Sequence, residues 1–186
     1  MRTSTRIAIA VVVLLFLGAL SAGGWWYQTR QRAASSTASI LTVNVTSAAD
    51  RGPGTLREAL FIVAAAAGKA DVLLKVPAIS LETALPPLVN PHGVRIVGLQ
   101  GGTQIDAHAL SGVPVFDVAG ANTALEGLQI KNCSGGAVLL RAIQFHLRAT
   151  AVEACDVGVD VAENARDVLI EHNRFTGGRI DRKSVV

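Results

Sequence analysis

Aromatic side chains are scarce and unevenly placed. Both Trp and the single Tyr sit together at Trp25, Trp26 and Tyr27. Beyond that trio only Phe61, Phe116, Phe145 and Phe175 follow, mostly at positions the local pattern places inside. A face that stacks sugars on exposed rings is therefore not expected here, and a sugar-binding role would belong to further coils. Charged residues make up only 17% of the chain. The net charge of +3 hints at nucleic acid or acidic lipid, but position decides otherwise. Between Ala33 and Ile180 there are 11 Lys+Arg against 13 Asp+Glu, a net of −2 with no basic stripe, which argues against nucleic acid. No G-x-S-x-G, Walker or dinucleotide motif occurs, so no cofactor is expected. His92, His108, His146 and His172 lack ligand spacing, read as surface residues, and give no metal site.

What is present begins with a long apolar run, Ile7 to Tyr27, uncharged and about 31 Å long as a helix. Arg2 and Arg6 make a positive region before it, residues 1–6, on the cytoplasmic side. The aromatic trio at its end suits a membrane–water interface and, with Arg30 and Arg32, favours a retained transmembrane anchor. Ala19 and Ser21, or Ser21 and Gly23, also fit a cleavable signal peptide, so both readings stand. Either one exports the rest. The domain would lie in the periplasm or outside the cell, single-pass and membrane-bound, or secreted if the segment is cleaved. Residues 28–39 form a polar, small-residue linker, and the folded domain runs from 40 to 180. The tail DRKSVV, Asp181 to Val186, back-translates to a short-read sequencing adapter. It is expected to be non-native, and the chain to be a truncated fragment.

From Thr123 the chain repeats. Leu125, Leu128 and Ile130 align with Leu147, Thr150 and Val152, then with Ile170, Asn173 and Phe175, at offsets of 22 and 23. The preceding runs PVFDVAG, GAVLLRA and VGVDVAEN agree, so each unit reads as two short β runs joined by turns. VRIVGLQGGTQIDAHAL is an earlier, less regular unit, with Ile96, Gly98 and Leu99 echoing Leu125, Gly127 and Leu128. Such a period leaves no room for crossover helices, which excludes a doubly wound sheet. The fold class is all-β: a right-handed, single-stranded parallel β-helix with coils of about 22 residues from about residue 94. Glu126, Arg148 and Glu171 then fall in one outward column, and Lys131 and Glu153 in the next, as structural charge ladders.

Ahead of the coils, strand, turn, helix and strand are expected. Thr55 and Glu58 form a capping box, Gly52-Pro53-Gly54 the turn before it, and Gly68 the stop, for a helix over about 55–67. Leu56, Ala59, Leu60, Val63 and Ala64 give it one apolar face, suited to closing the end of a solenoid; Arg57 and Glu58 read as structural.

The segment DRGPGTLREAL, Asp50 to Leu60, resembles the opening motif of bacterial CSLREAI-type surface proteins, with Gly54, Thr55 and Leu60 in place of Cys, Ser and Ile. PVFDVAGANTALEGLQIKNCSGGAVLL is similar to right-handed β-helix repeats of the pectin-lyase-like superfamily. Together the resemblance covers roughly Leu41 to Ile180. It implies export, surface attachment and in some members polysaccharide contact, and it supplies no catalytic residue here.

Enzymes of that superfamily use clustered carboxylates, with Ca²⁺ and an arginine base or as an acid/base pair. The candidates are Asp106, Asp117, Asp156, Asp160 and Glu163, with Arg141 and Arg166 nearby. Asp117 and Asp160 lie two coils apart, about 9.6 Å by strand spacing, with Leu139 between them. That is too far to share Ca²⁺ and marginal for an inverting pair. The catalytic residues thus stay unassigned. Cys133 and Cys155 occupy one slot on consecutive coils, within reach of a disulfide, although parallel Cβ vectors suit a bridge poorly; two buried thiols are the other reading. The sequence as a whole points to an exported, membrane-anchored scaffold that binds glycans or partners. The alternatives are a polysaccharide lyase or hydrolase with its active-site coils beyond Ile180, and a spacer.

Overall fold

Residues 40–177 and the strand at residues 179–182 are described by the computed structural model. The apolar segment 7–27, its linker and residues 183–186 lie outside the described residues, so the anchor or signal expectation falls there. Among the described residues no helix is long and apolar enough to cross a membrane.

The domain opens with strand β1 (Leu41–Val45), helix α1 (Leu56–Ala64) and strand β2 (Ala70–Leu74). Fourteen strands follow β1. In chain order after β2 they are β3 (Ala78–Ser80), β4 (Val94–Val97), β5 (Thr103–Asp106), β6 (Phe116–Val118), β7 (Thr123–Glu126), β8 (Leu128–Lys131) and β9 (Val138–Leu140). Then come β10 (Ile143–Arg148), β11 (Ala151–Glu153), β12 (Val157–Val161), β13 (Arg166–Glu171), β14 (Arg174–Thr176) and β15 (Arg179–Arg182). They form three sheets, ordered β1-β2-β4-β7-β10-β13, β3-β5-β8-β11-β14 and β6-β9-β12-β15. Every pairing is parallel, and from β4 onward each coil gives one strand to each sheet. The first coil supplies its third side through Leu88, which bridges to Val118. The chain is a parallel β-solenoid of about five coils. Its third sheet includes Asp181 and Arg182 by backbone pairing with Asp160 and Val161.

The aligned apolar residues stack as expected. Ile96, Leu125, Leu147 and Ile170 share one register, as do Ile105, Ile130, Val152 and Phe175. Alternation turns each inward; Ile170 and Phe175 in the last coil are partly buried and the others fully, and each fully buried aliphatic side chain contributes about 1.5–3 kcal/mol relative to exposure.

Two expectations need correction. A coil has three strands, because the second β run of each unit is broken by one left-handed residue: Gly127, Ala149 or His172, at φ 65°, 49° and 55°. Equivalent left-handed columns, Asn122/Gln144/Asp167 and Asn132/Ala154/Gly177, serve the other two corners. Leu99 also does not occupy the Leu128 column. The turn Leu99–Gly102 inserts residues, and Thr103 pairs with Leu128 instead.

Helix α1 covers the first coil. Thr55 caps it by accepting from the Glu58 N–H, while the Glu58 carboxylate accepts from Gly54 N–H at 2.6 Å, one residue earlier than the expected partner. Leu56, Ala59, Leu60 and Val63 are buried as the apolar stripe requires. The helix stops at Ala64, earlier than Gly68, and buried Asn90 ties its end to the turn that follows. Its amide donates to Val63 O (2.8 Å) and Gly68 O (3.1 Å) and accepts from His92 N–H. Asn90→Ala orphans these buried groups and should cost about 2 kcal/mol in urea titrations of the full chain. An unchanged midpoint would contradict this role. Phe61 lies off the apolar stripe and is 60% exposed, since nine helical residues bury one stripe only. Phe116 and Phe145 are buried, and Phe175 is partly so.

Candidate functional site

The outward positions of the three sheets hold the charges, and most are paired along the stack. On the first sheet Arg95 forks Asp71 through Nε (3.2 Å) and a terminal nitrogen (2.9 Å). That hydrogen-bonded pairing raises the Arg95 pKa against the opposing effect of burial. Glu126, Arg148 and Glu171 do share a column. Arg148 reaches Glu171 at 3.7 Å, and His146 Nε2 lies 3.1 Å from the same carboxylate oxygen. Among the described residues no ion pair joins Arg148 to Glu126, so the ladder is closed on one side only. On the second sheet Glu153 is shared between Lys131 (3.7 Å) and Arg174. Asp106 accepts from Asn132 at 3.0 Å and from His108 N–H, and the Asn132 bond foremost holds its carboxyl below the usual carboxylate range despite burial.

The remaining carboxylates do not converge. Asp117, Leu139 and Asp160 stand in register, and Arg141 forks Asp117. Asp160 Oδ1 is buried without a partner. Asp156, Glu163 and Arg166 are exposed. His92, His108 and His172 are exposed, and His146 is half-buried on the outer face. Among the described residues no three potential metal ligands gather. Cys133 and Cys155 sit on consecutive coils, buried, with Cα atoms 4.4 Å apart and sulfurs at covalent distance. Each follows a left-handed residue, Asn132 or Ala154, and lies outside the strands. The parallel Cβ geometry of a pleated ladder therefore does not constrain them.

Sequence reading missed one network entirely. Asp50, buried beneath the cap, accepts from Arg57 (2.7 Å) and Thr83 (3.0 Å), and Arg57 also bonds the carbonyls of Asp50, Thr83 and Ala84. Burial opposes ionisation of Asp50, but the Arg57 and Thr83 hydrogen bonds and the Arg57 charge together outweigh it and depress its pKa. Because the folded value is the lower one, this stabilisation is complete above the unfolded carboxylate range, near pH 4, and is lost as pH falls through the folded value. Asp50→Asn should therefore destabilise the full chain by about 2 kcal/mol at pH 7, with the gap to the parent closing in acid. Parallel pH profiles for the two proteins would contradict this.

Among the described residues two concavities cross several coils: one of about 260 Å³ runs over the first sheet beside Lys69, Asp71 and Arg95, and the other is uncharged. A groove of about 450 Å³ follows the corner between the first and second sheets, lined by Leu99, Gln100, Gly101, Gly102, Gly127, Leu128, Gln129, Ala149 and Ala151. The left-handed Gly127 and Ala149 keep its floor shallow. Gln129 Nε2 donates to Gly101 O at 2.8 Å, which fixes the amide, and Gln104 stands beside it in register. Its polar lining is uncharged: amides and backbone. Such a surface suits a hydroxyl-rich neutral chain better than a charged or redox-active one.

Compared with known protein families, curated proteins and solved structures, this chain has no match. Its function is therefore argued from the solenoid and its corner groove.

Proposed function

We propose that the chain is an exported surface scaffold: a right-handed β-helix of the pectin-lyase-like type, held on a bacterial membrane by residues 7–27, that binds a neutral glycan along its corner groove. The observation that carries the reading is the groove itself, three coils long, uncharged, and lined by Gln100 and Gln129 with small residues between. Amides offer a donor and an acceptor, as do sugar hydroxyls, and Gln104, in register with Gln129, adds a second amide one coil away. The paired charges of the outer faces support a scaffold, since Asp71, Asp117 and Glu153 are each engaged by an arginine, Arg95, Arg141 and Arg174 in turn. The resemblance of Asp50 to Leu60 to the CSLREAI motif agrees with a surface protein.

The test is retention of the full chain in detergent on a panel of immobilised neutral and uronate polysaccharides, with release of reducing ends and unsaturated sugars followed in parallel. Retention on a neutral polymer without product, reduced about tenfold by Gln129→Leu, is the expected result. Product release would instead support a lyase or hydrolase. Retention unaffected by Gln129→Leu would remove the groove from the account.

A further inference from the structure

We infer that the capped end of the solenoid is a lipid-seating surface, with Phe61 and Ile62 of α1 entering the membrane interface. The inference rests on the anchor reading proposed above. Seven large apolar side chains are exposed among the described residues, and five of them (Ile40, Leu41, Phe61, Ile62 and Val89) belong to the cap and first coil. The bias is toward one end of the stack. Phe61 and Ile62 are 60% and 43% exposed on the side of α1 opposite its buried stripe, so core packing does not account for them. Ile40 and Leu41 are 55% and 38% exposed, just before and at the start of β1, the outermost strand of the first sheet.

The occupant follows from where the chain enters. Residues 28–39 are the whole link between the apolar segment and Ile40, and 12 residues span at most about 40 Å. An anchor at residues 7–27 thus keeps the first coil within that distance of a bilayer, and β1 with α1 are the elements nearest the tether. A phenyl ring and a branched aliphatic chain lose water contact at the headgroup boundary, where the exposed Glu58 carboxylate, one turn back on α1, still meets water and the Gly54 N–H. Arg57, beside Phe61, spends its guanidinium on Asp50, Thr83 and Ala84, so no free cation is forced into the interface from that position. The outward side of α1 at Phe61 and Ile62 is therefore compatible with neutral lipid.

The test uses the full chain reconstituted in phosphatidylcholine vesicles, with Trp25→Phe and Trp26→Phe removing background emission. Phe61→Trp is compared with Gln104→Trp on the second sheet's outer face. Flotation with the vesicles reports the anchor; quenching by lipids brominated near the headgroup reports the seat. The expected result is flotation, with at least twofold quenching at position 61 and none at 104. Flotation with no quenching at 61 overturns the seat and leaves the anchor standing. A blue-shifted but unquenched Trp at 61 also overturns it, in favour of a second copy or another protein on that face. A chain that stays at the bottom of the gradient overturns both.

Discussion

Gly98→Ala should lower the stability of the full chain by more than about 3 kcal/mol, while Gly127→Ala costs about 1 kcal/mol. The two glycines belong to one corner of consecutive coils, yet their surroundings differ. A Cβ at Gly98 would lie 2.0 Å from the Gly127 carbonyl oxygen and 2.9 Å from its carbon, both main-chain atoms with nowhere to go. The same approach carries ladder bonds, since Gly98 N–H donates to Glu126 O and Thr103 N–H to Gly127 O. Relief of the clash thus separates the second and third coils' strands on both sides of the corner. At Gly127 the nearest atom to a new Cβ is 3.8 Å away, and only its φ of +65° resists a side chain. Ala149 already bears that strain in the next coil. Urea titrations followed by circular dichroism should separate the variants clearly; equal losses would mean that the coils are not stacked as described.

Removing both sulfurs, by Cys133→Ala with Cys155→Ala, should cost about 3 kcal/mol, from the 22-residue separation of the cysteines in the chain-entropy picture. One bridge then ties one coil to the next at its own corner. Reductant should bring the parent to the level of the double variant and leave the variant unchanged. A parent insensitive to reductant, or one with two titratable thiols after purification under air, would show the cysteines to be separate.

The period of this fold is written in its apolar residues; its corners are not. Leu125, Leu147 and Ile170 declare the stacking because burial selects them in every coil. Asn122 and Asn132 are common left-handed residues, but Gln144, Ala149 and Ala154 carry no such preference, so two runs per coil were legible where three exist. Ala is held there by ladders above and below, a tertiary cause. Leu99 looked like a column member because the Gly101–Gly102 turn hides the insertion that moves Thr103 into place. The Asp50–Arg57–Thr83 network joins residues 33 apart, and Asn90 reaches back 27 to Val63; no local pattern marks either. The corner groove is hidden for the same reason, since Gln100, Gln129 and Ala151 meet only when three coils are wound. The register of the outward carboxylates is legible in the repeat, but the arginines that engage them are set by side-chain direction.

The account's central claim is an exported solenoid held at the membrane by its N-terminal segment. Labelling Lys69, Lys75 and Lys131 with a membrane-impermeant amine reagent on cells whose outer envelope alone is opened would test it, with the labelled chain then extracted at alkaline pH. The account predicts labelled lysines in a chain that stays with the membrane pellet. Lysines labelled only after the inner membrane is broken would contradict it, whatever fraction the chain follows.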